Sequence, residues 1–245
     1  RDGLASLVDK SRARQEETAD GERRVLLLET IAEFGLDRLA ESGEADATFA
    51  AHADGMLALA EEARSTLTGP AFDRWMNRLE REHDNFRAAF RWLRERQDAA
   101  AGLRLSRALS RFWFLGSQLG EGRAHLETFL ALPGAAAATT GRARALHALG
   151  QLVYRQGDYG AARALFEESL ALARAAASRR GIAAAQRELG RVAMDLGDFD
   201  EARRLLAESL ALQEEVGDPY GVAWSIAYLG QLAFFLGDHA AAADT

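Results

Sequence analysis

The sequence has no cysteine, which excludes a disulfide framework, thiol chemistry and a thiolate metal site. It has one lysine, Lys10, so its positive charge is carried almost wholly by arginine. No apolar run reaches the length of a membrane span. No signal-like segment opens the chain, which begins at Arg1 rather than at a methionine and stops at Thr245 inside a repeating pattern. Both ends are therefore expected to continue in a larger, cytoplasmic protein. The signatures of catalysis are missing too. There is no phosphate-binding GxxxxGK[ST], and no serine sits in a GxSxG elbow. Glu80-Arg81-Glu82-His83 places acids beside a histidine but has no second histidine one turn on, so it is not a zinc motif. The five histidines, at 52, 83, 125, 147 and 239, are scattered. No catalytic residue, metal ligand or cofactor is expected within these 245 residues.

What is present is self-similarity. From about Leu103 onward the sequence repeats with a period of 40. Gly150 returns as Gly190 and Gly230, and Gly157-Asp158 returns as Gly197-Asp198 and Gly237-Asp238. LFEESLALA at 165–173 becomes LLAESLALQ at 205–213. A fixed period of this size marks a solenoid. Within a unit, Ala143, Leu146, Leu149 and Val153 share one helix face. After the Gly157-Asp158 turn, Tyr159, Ala162, Phe166, Ser169 and Leu170 share another. Gly150 and Ala162 stand where two antiparallel helices must approach closely. A degenerate earlier unit is in register 40 residues upstream, with Leu109, Trp113, Leu119, Gly122, Leu126 and Phe129; the last unit is cut short at Thr245.

The order leucine, small residue, then aromatic and alanine resembles the tetratricopeptide repeat. Leu149-Gly150, Tyr159 and Ala162 carry the pattern, as do Leu189-Gly190, Phe199 and Ala202. That repeat is usually about 34 residues long. The extra length here is expected in the inter-repeat stretches AAASRRG (175–181) and QEEVGDP (213–219). The implied fold is all-α: a right-handed tetratricopeptide-like solenoid over residues 101–245, preceded by a helical linker at 29–100.

The N-terminal part reads differently. Residues 1–11 look like the end of a short helix, and 12–28 like a hairpin turning at Asp20-Gly21. Residues 1–28 are expected to be the remnant of a winged-helix domain. A helix follows to Gly43, with Leu27, Ile31, Phe34 and Leu39 on one stripe. A second runs from Ala45 to Leu67. A third is expected from the Gly69-Pro70 break to about Asp98, with Trp75, Leu79, His83, Phe86, Phe90 and Leu93 on its apolar side. On that stripe His83 is expected to be a hydrogen-bonded residue at the edge of the core. LLETIAEFGLDRLAESGE (27–44), HADGMLALAEEA (52–63), WMNRLEREHDNFRAAFRWL (75–93) and FWFLGSQLGEGRAHLETFLALPGA (112–135) resemble bacterial signal-transducing (STAND/NB-ARC-type) ATPase regulators of the LuxR or SARP/AfsR kind. The resemblance implies an upstream domain using ATP and magnesium, a winged helix, then linker and repeats. Contact with DNA would come only through a domain outside this chain.

Stacked helix pairs line a concave groove with their first helices. With Leu103, Ala143, Ala183 and Ala223 as first positions, the second, fifth, ninth, twelfth and thirteenth should face that groove. The first unit gives Arg104, Arg107 and Arg111, beside Phe114 and Leu115. The second gives Arg144, His147, Gln151, Tyr154 and Arg155. The third contributes Arg187 and Arg191, with Met194 and Asp195. The fourth contributes Trp224, Gln231, Phe234 and Phe235. Seven arginines and one acid gather on this face of a chain whose formal charge is −7. Guanidinium forks favour carboxylate and phosphate partners. The expected occupant is an acidic peptide, a protein segment or a small anionic ligand, and the groove arginines could instead be closed by the chain's own acids or by neighbouring domains. A plain assembly scaffold without any switching role is the alternative function. Self-association through the truncated last repeat is a further expectation.

Overall fold

The computed structural model describes residues 13–17, 23–67, 69–116, 118–136 and 139–237. Two short strands, β1 (Ala13–Glu17) and β2 (Arg23–Leu27), pair antiparallel with Ala13 opposite Leu27 and Glu17 opposite Arg23. The Asp20-Gly21 turn and the helix expected within 1–11 lie outside the described residues. Everything after the hairpin is helical. The linker comprises α1 (Glu29–Ser42), α2 (Ala45–Thr66), α3 (Phe72–Arg81) and α4 (His83–Glu95). The repeats comprise α5 (Ala99–Leu115), α6 (Leu119–Leu130), α7 (Thr139–Arg155), α8 (Tyr159–Ala175), α9 (Arg179–Asp195), α10 (Phe199–Glu215) and α11 (Pro219–Phe235), with a 3-10 turn at Pro133–Ala136. This is an all-α, tetratricopeptide-like solenoid with a short β-hairpin in front of it.

The helix starts of the repeats fall 20 residues apart, and α5 and α7 to α11 each hold 17 residues. The extra length over the ordinary repeat is therefore in the helices. The inter-repeat links at 176–178 and 216–218 are as short as the turns within a unit at 156–158 and 196–198. All four joints have one geometry. The last helical carbonyls accept from the following N–H groups, as in Asp158 N to Val153 O (3.3 Å) and Ser178 N to Ala173 O (2.9 Å). The residue before the next cap is left-handed: Gly157 (φ 87°), Ala177 (φ 49°), Gly197 (φ 82°) and Gly217 (φ 63°). The next residue caps the new helix, Asp158 accepting from Ala161 N at 3.0 Å and Asp218 from Gly221 N at 3.1 Å. Gln97-Asp98 builds the same joint between α4 and α5.

Close approach of paired helices sets the small residues. A Cβ on Gly150 would lie 2.6–2.9 Å from the Phe166 ring, and one on Gly190 2.7 Å from Leu206 Cγ. Ala162 and Ala202 are fully buried against the same interfaces. Ser169 Oγ donates to Ala143 O and Ser209 Oγ to Ala183 O, both at 2.8 Å, so the period of 40 extends to individual hydrogen bonds.

The core runs without a break from linker to repeats. Phe90 of α4 stacks on His125 (3.9 Å) and lies near Trp113 and Phe129. At its edge Glu121 of α6 accepts two hydrogen bonds from Arg87 (2.8 and 3.0 Å) and lies 2.9 Å from His83 Nε2. The Arg87 bond, then His83, outweigh burial and bring the Glu121 pKa down to about 2. The segment expected as one long third helix is instead α3 and α4, broken at Glu82. The apolar stripe of α1 is only partly covered: Ile31 and Leu39 are half-buried, and Phe34 is 59% exposed. A Cβ on Gly35 would meet nothing within 4 Å, so its place in α1 is not a close approach.

Candidate ligand-binding cavity

One turn of helix separates positions 104, 107 and 111, and the 40-residue period repeats them on α7, α9 and α11. The four first helices thus turn equivalent side chains toward one concave face. That face holds a cavity of about 790 Å³. The fifth-position residues Arg107, His147 and Arg187 line it, as do the ninth-position Arg111, Gln151 and Arg191, with Arg144 and Trp224 from the second position.

Phe114 and Leu115, from the twelfth and thirteenth positions of the first unit, line the cavity too, whereas the remaining expected groove residues lie outside it. Arg104 turns to the linker and pairs with Glu61 at 3.1 Å. Tyr154 lies beneath Arg191, whose guanidinium is 3.6 Å from the ring centre, and donates to the Asp195 carboxylate. Burial and that carboxylate raise its pKa. Arg155 covers the ring of Phe114 at 5.4 Å. Gln231, Phe234 and Phe235 are exposed at the far end of α11.

Three register features escape the five-position rule. The sixth position also faces inward and supplies Ala148, Glu188 and Tyr228. The residue just inside each first helix does too, supplying Thr140, Arg180 and Tyr220. Arg64 reaches in from α2, where no repeat register applies. The lining therefore carries seven arginines, at 64, 107, 111, 144, 180, 187 and 191, and one carboxylate, Glu188.

Glu188 divides those arginines into two groups. It is 2% exposed, and its Oε1 accepts from Arg187 Nη2 at 3.0 Å and from Gln151 Nε2 at 3.1 Å. Its Oε2 lies 2.6 Å from Arg191 Nη2. Burial would raise its pKa, but Arg191 and Arg187 outweigh burial and hold it at about 2. At the other end, Arg64, Arg107 and Arg144 have no carboxylate at ion-pairing distance among the described residues. Burial first, then the charges of Arg64 and Arg144, lower the Arg107 pKa. Arg111 donates to Leu67 O (3.1 Å) and to the Tyr220 hydroxyl (3.2 Å), a bond from the first repeat to the fourth.

His147 lies near the Glu188 group, with Nδ1 buried and unpartnered. Burial, aided by Arg187 and Arg191 and opposed by Glu188, lowers its pKa from 6.5 to about 4. A base with a depressed folded pKa binds fewer protons folded than unfolded, so stability falls as the pH drops from about 6.5 to about 4. Glu188, depressed from 4.5 to about 2, extends the loss below pH 4.5. Urea titrations at pH 7, 5.5 and 4 should show His147→Gln flattening the upper part of this decline. The His147 share is roughly 2–3 kcal/mol, and an unchanged slope in the variant would remove it as the cause.

Among the described residues no three His, Asp or Glu are grouped to hold a metal ion, and no helix is long and apolar enough to cross a membrane. Family models of the tetratricopeptide repeat match residues 142–180 and 181–245. Residues 142–245 are a tetratricopeptide-repeat region. The fold is also that of BtubC (BKLC) from P. vanneervenii, with a TM-score of 0.55 at 16% identity over 80% of this chain and 87% of that one. A kinesin-light-chain protein of tetratricopeptide-like repeats from Podosopora anserina gives 0.52 at 20% identity, over 79% and 92%. Proteins named as HTH-type transcriptional regulators in Mycobacterium tuberculosis and Mycobacterium bovis are 38% identical over 151 residues. Those residues are 59% of this chain and 16% of the regulators.

Proposed function

We propose that this chain is a non-catalytic tetratricopeptide interaction module that holds an anionic partner on its concave face. The observation that carries this reading is the lining of that face, seven arginines against one acid in a chain of net charge −7. The acids of the molecule sit mainly on outer surfaces, where Glu167, Glu201 and Glu208 pair with Arg163 and Arg204 of their own helices. A concave wall of one sign focuses its field on an incoming opposite charge.

The test is titration calorimetry of the 245-residue chain with two anionic probes, hexaglutamate and pyrophosphate. At least one should bind, more weakly as salt is raised. Arg107→Glu with Arg144→Glu should weaken that binding roughly 10- to 100-fold. Arg163→Glu with Arg204→Glu, on the outer surface, should leave it unchanged. Equal affinity in the groove variant, or no binding by any anionic probe, small aromatic anions included, overturns the reading.

The similarity to proteins named as transcriptional regulators favours one extension. In a longer regulator the occupied cavity would alter the packing of the linker helices. Arg64 of α2 joins cavity and linker directly. Through them it would bias a neighbouring winged-helix and nucleotide-binding ATPase region between two states. An effect of a bound anion on nucleotide turnover in the full-length protein tests that coupling. Its absence leaves a scaffold without a switch.

A further inference from the structure

We propose that the cavity is a site for a small organic anion with an aromatic or bulky apolar body, its charged group seated among Arg64, Arg107 and Arg144 and its body against Trp224 and Tyr228. This rests on the reading of the concave face as the place where an anionic partner is held, and it names the class of occupant.

The argument starts from what each arginine already has. Arg187 and Arg191 share Glu188, and Arg111 is engaged by Leu67 O and Tyr220. Arg180 donates to Val216 O at 3.3 Å. Arg64, Arg107 and Arg144 are the lining cations left with neither an ion pair nor a side-chain hydrogen bond among the described residues. Burial lowers the Arg107 pKa, and the charges of Arg64 and Arg144 lower it further against a smaller opposing effect of Glu61. Guanidinium groups lining one cavity repel one another until an anion joins them, and their forks suit a carboxylate or a phosphate.

The body of the ligand is defined by the part of the lining that α11 supplies. Tyr220, Trp224 and Tyr228 form a ladder of rings along α11, with centroids 6.2 and 5.6 Å apart. Trp224 is 42% exposed into a space whose other walls include Ala143, Ala148, Gly181 and Ala184. Small side chains sharing a lining with a partly exposed indole leave room for a ring or a branched chain.

Size and closure select a small molecule over an extended peptide. About 790 Å³ is within the usual range for small-molecule pockets. The Arg111–Tyr220 bond crosses the concave face, and a chain laid along the groove would have to break it.

The experiment is calorimetry of the 245-residue chain with 1-naphthoate, 1-naphthyl phosphate, the neutral 1-naphthamide and hexaglutamate. At least one naphthyl anion should bind, and at least tenfold tighter than the amide; which one binds distinguishes a carboxylate from a phosphate ligand. Arg107→Gln with Arg144→Gln should reduce that affinity at least tenfold, and Trp224→Ala should reduce it for both the anion and the amide. Should the double variant fail to fold, Arg64→Gln on the exposed face of α2 is read instead, with a loss of at least threefold expected. If hexaglutamate binds and neither naphthyl anion does, this proposal falls and the concave-face reading stands. If the amide matches the anions, the charged subsite falls. If no probe binds, pyrophosphate included, both readings fall.

Discussion

Glu188→Ala should cost the fold about 3–5 kcal/mol and, at the same time, make the protein respond more strongly to sulfate. The cost follows from burial: Arg187 and Arg191 are each 8% exposed, and the substitution leaves both without their carboxylate. Gln151 loses its acceptor as well. The sulfate response has the same origin, because a free anion can take the place of the lost carboxylate between two guanidinium groups. Urea midpoints for parent and variant, each with and without sulfate, give both quantities. Sulfate stabilises proteins generally by exclusion from their surfaces, so the meaningful figure is the excess stabilisation of the variant. A variant as stable as the parent, or one without that excess, would show that Glu188 does not hold the two arginines together.

Phe166→Ala should destabilise by about 3–5 kcal/mol, since a fully buried ring is removed from the closest contact between α7 and α8. The sharper expectation concerns its partner. In the parent, Gly150→Ala forces a methyl group to within 2.6 Å of that ring. Overpacking of this kind costs about 1–3 kcal/mol and exceeds the helix-propensity gain of about 1 kcal/mol. With Phe166 already truncated the methyl has space, and only the propensity gain remains. Gly150→Ala should therefore be destabilising alone and stabilising in the Phe166→Ala background. A double-mutant cycle from urea titrations reads the sign change directly. Additive effects would mean that the glycine is kept for another reason.

The helices, their pairing and the small residues between them were legible in the sequence because each is local and repeats. Gly150, Ala162 and Ser169 recur with the period, so one reading serves every unit. Joint geometry was only partly legible: Ala177 and Gln97 take the left-handed position without the glycine that usually signals it. The break at Glu82 carries no proline or glycine. At the cavity, eight of the expected arginine, histidine, glutamine and tryptophan positions line the wall. Glu188 could have been found, since a carboxylate among alanines and a tyrosine at one register position is out of character. Tyr220 and Arg64 could not. Their places depend on how far the array curves, and curvature sums small rotations that no single stretch of sequence records.

That summation gives the Arg111–Tyr220 hydrogen bond a mechanical meaning. It joins groups 109 positions apart in the chain, with four joints of one kind between them. A change of a degree or two at each joint is invisible locally, yet the errors accumulate at the two ends of the coil. A bond that closes only when the total is right works as a gauge of the whole winding, and a guest wedged between any two first helices would be registered there.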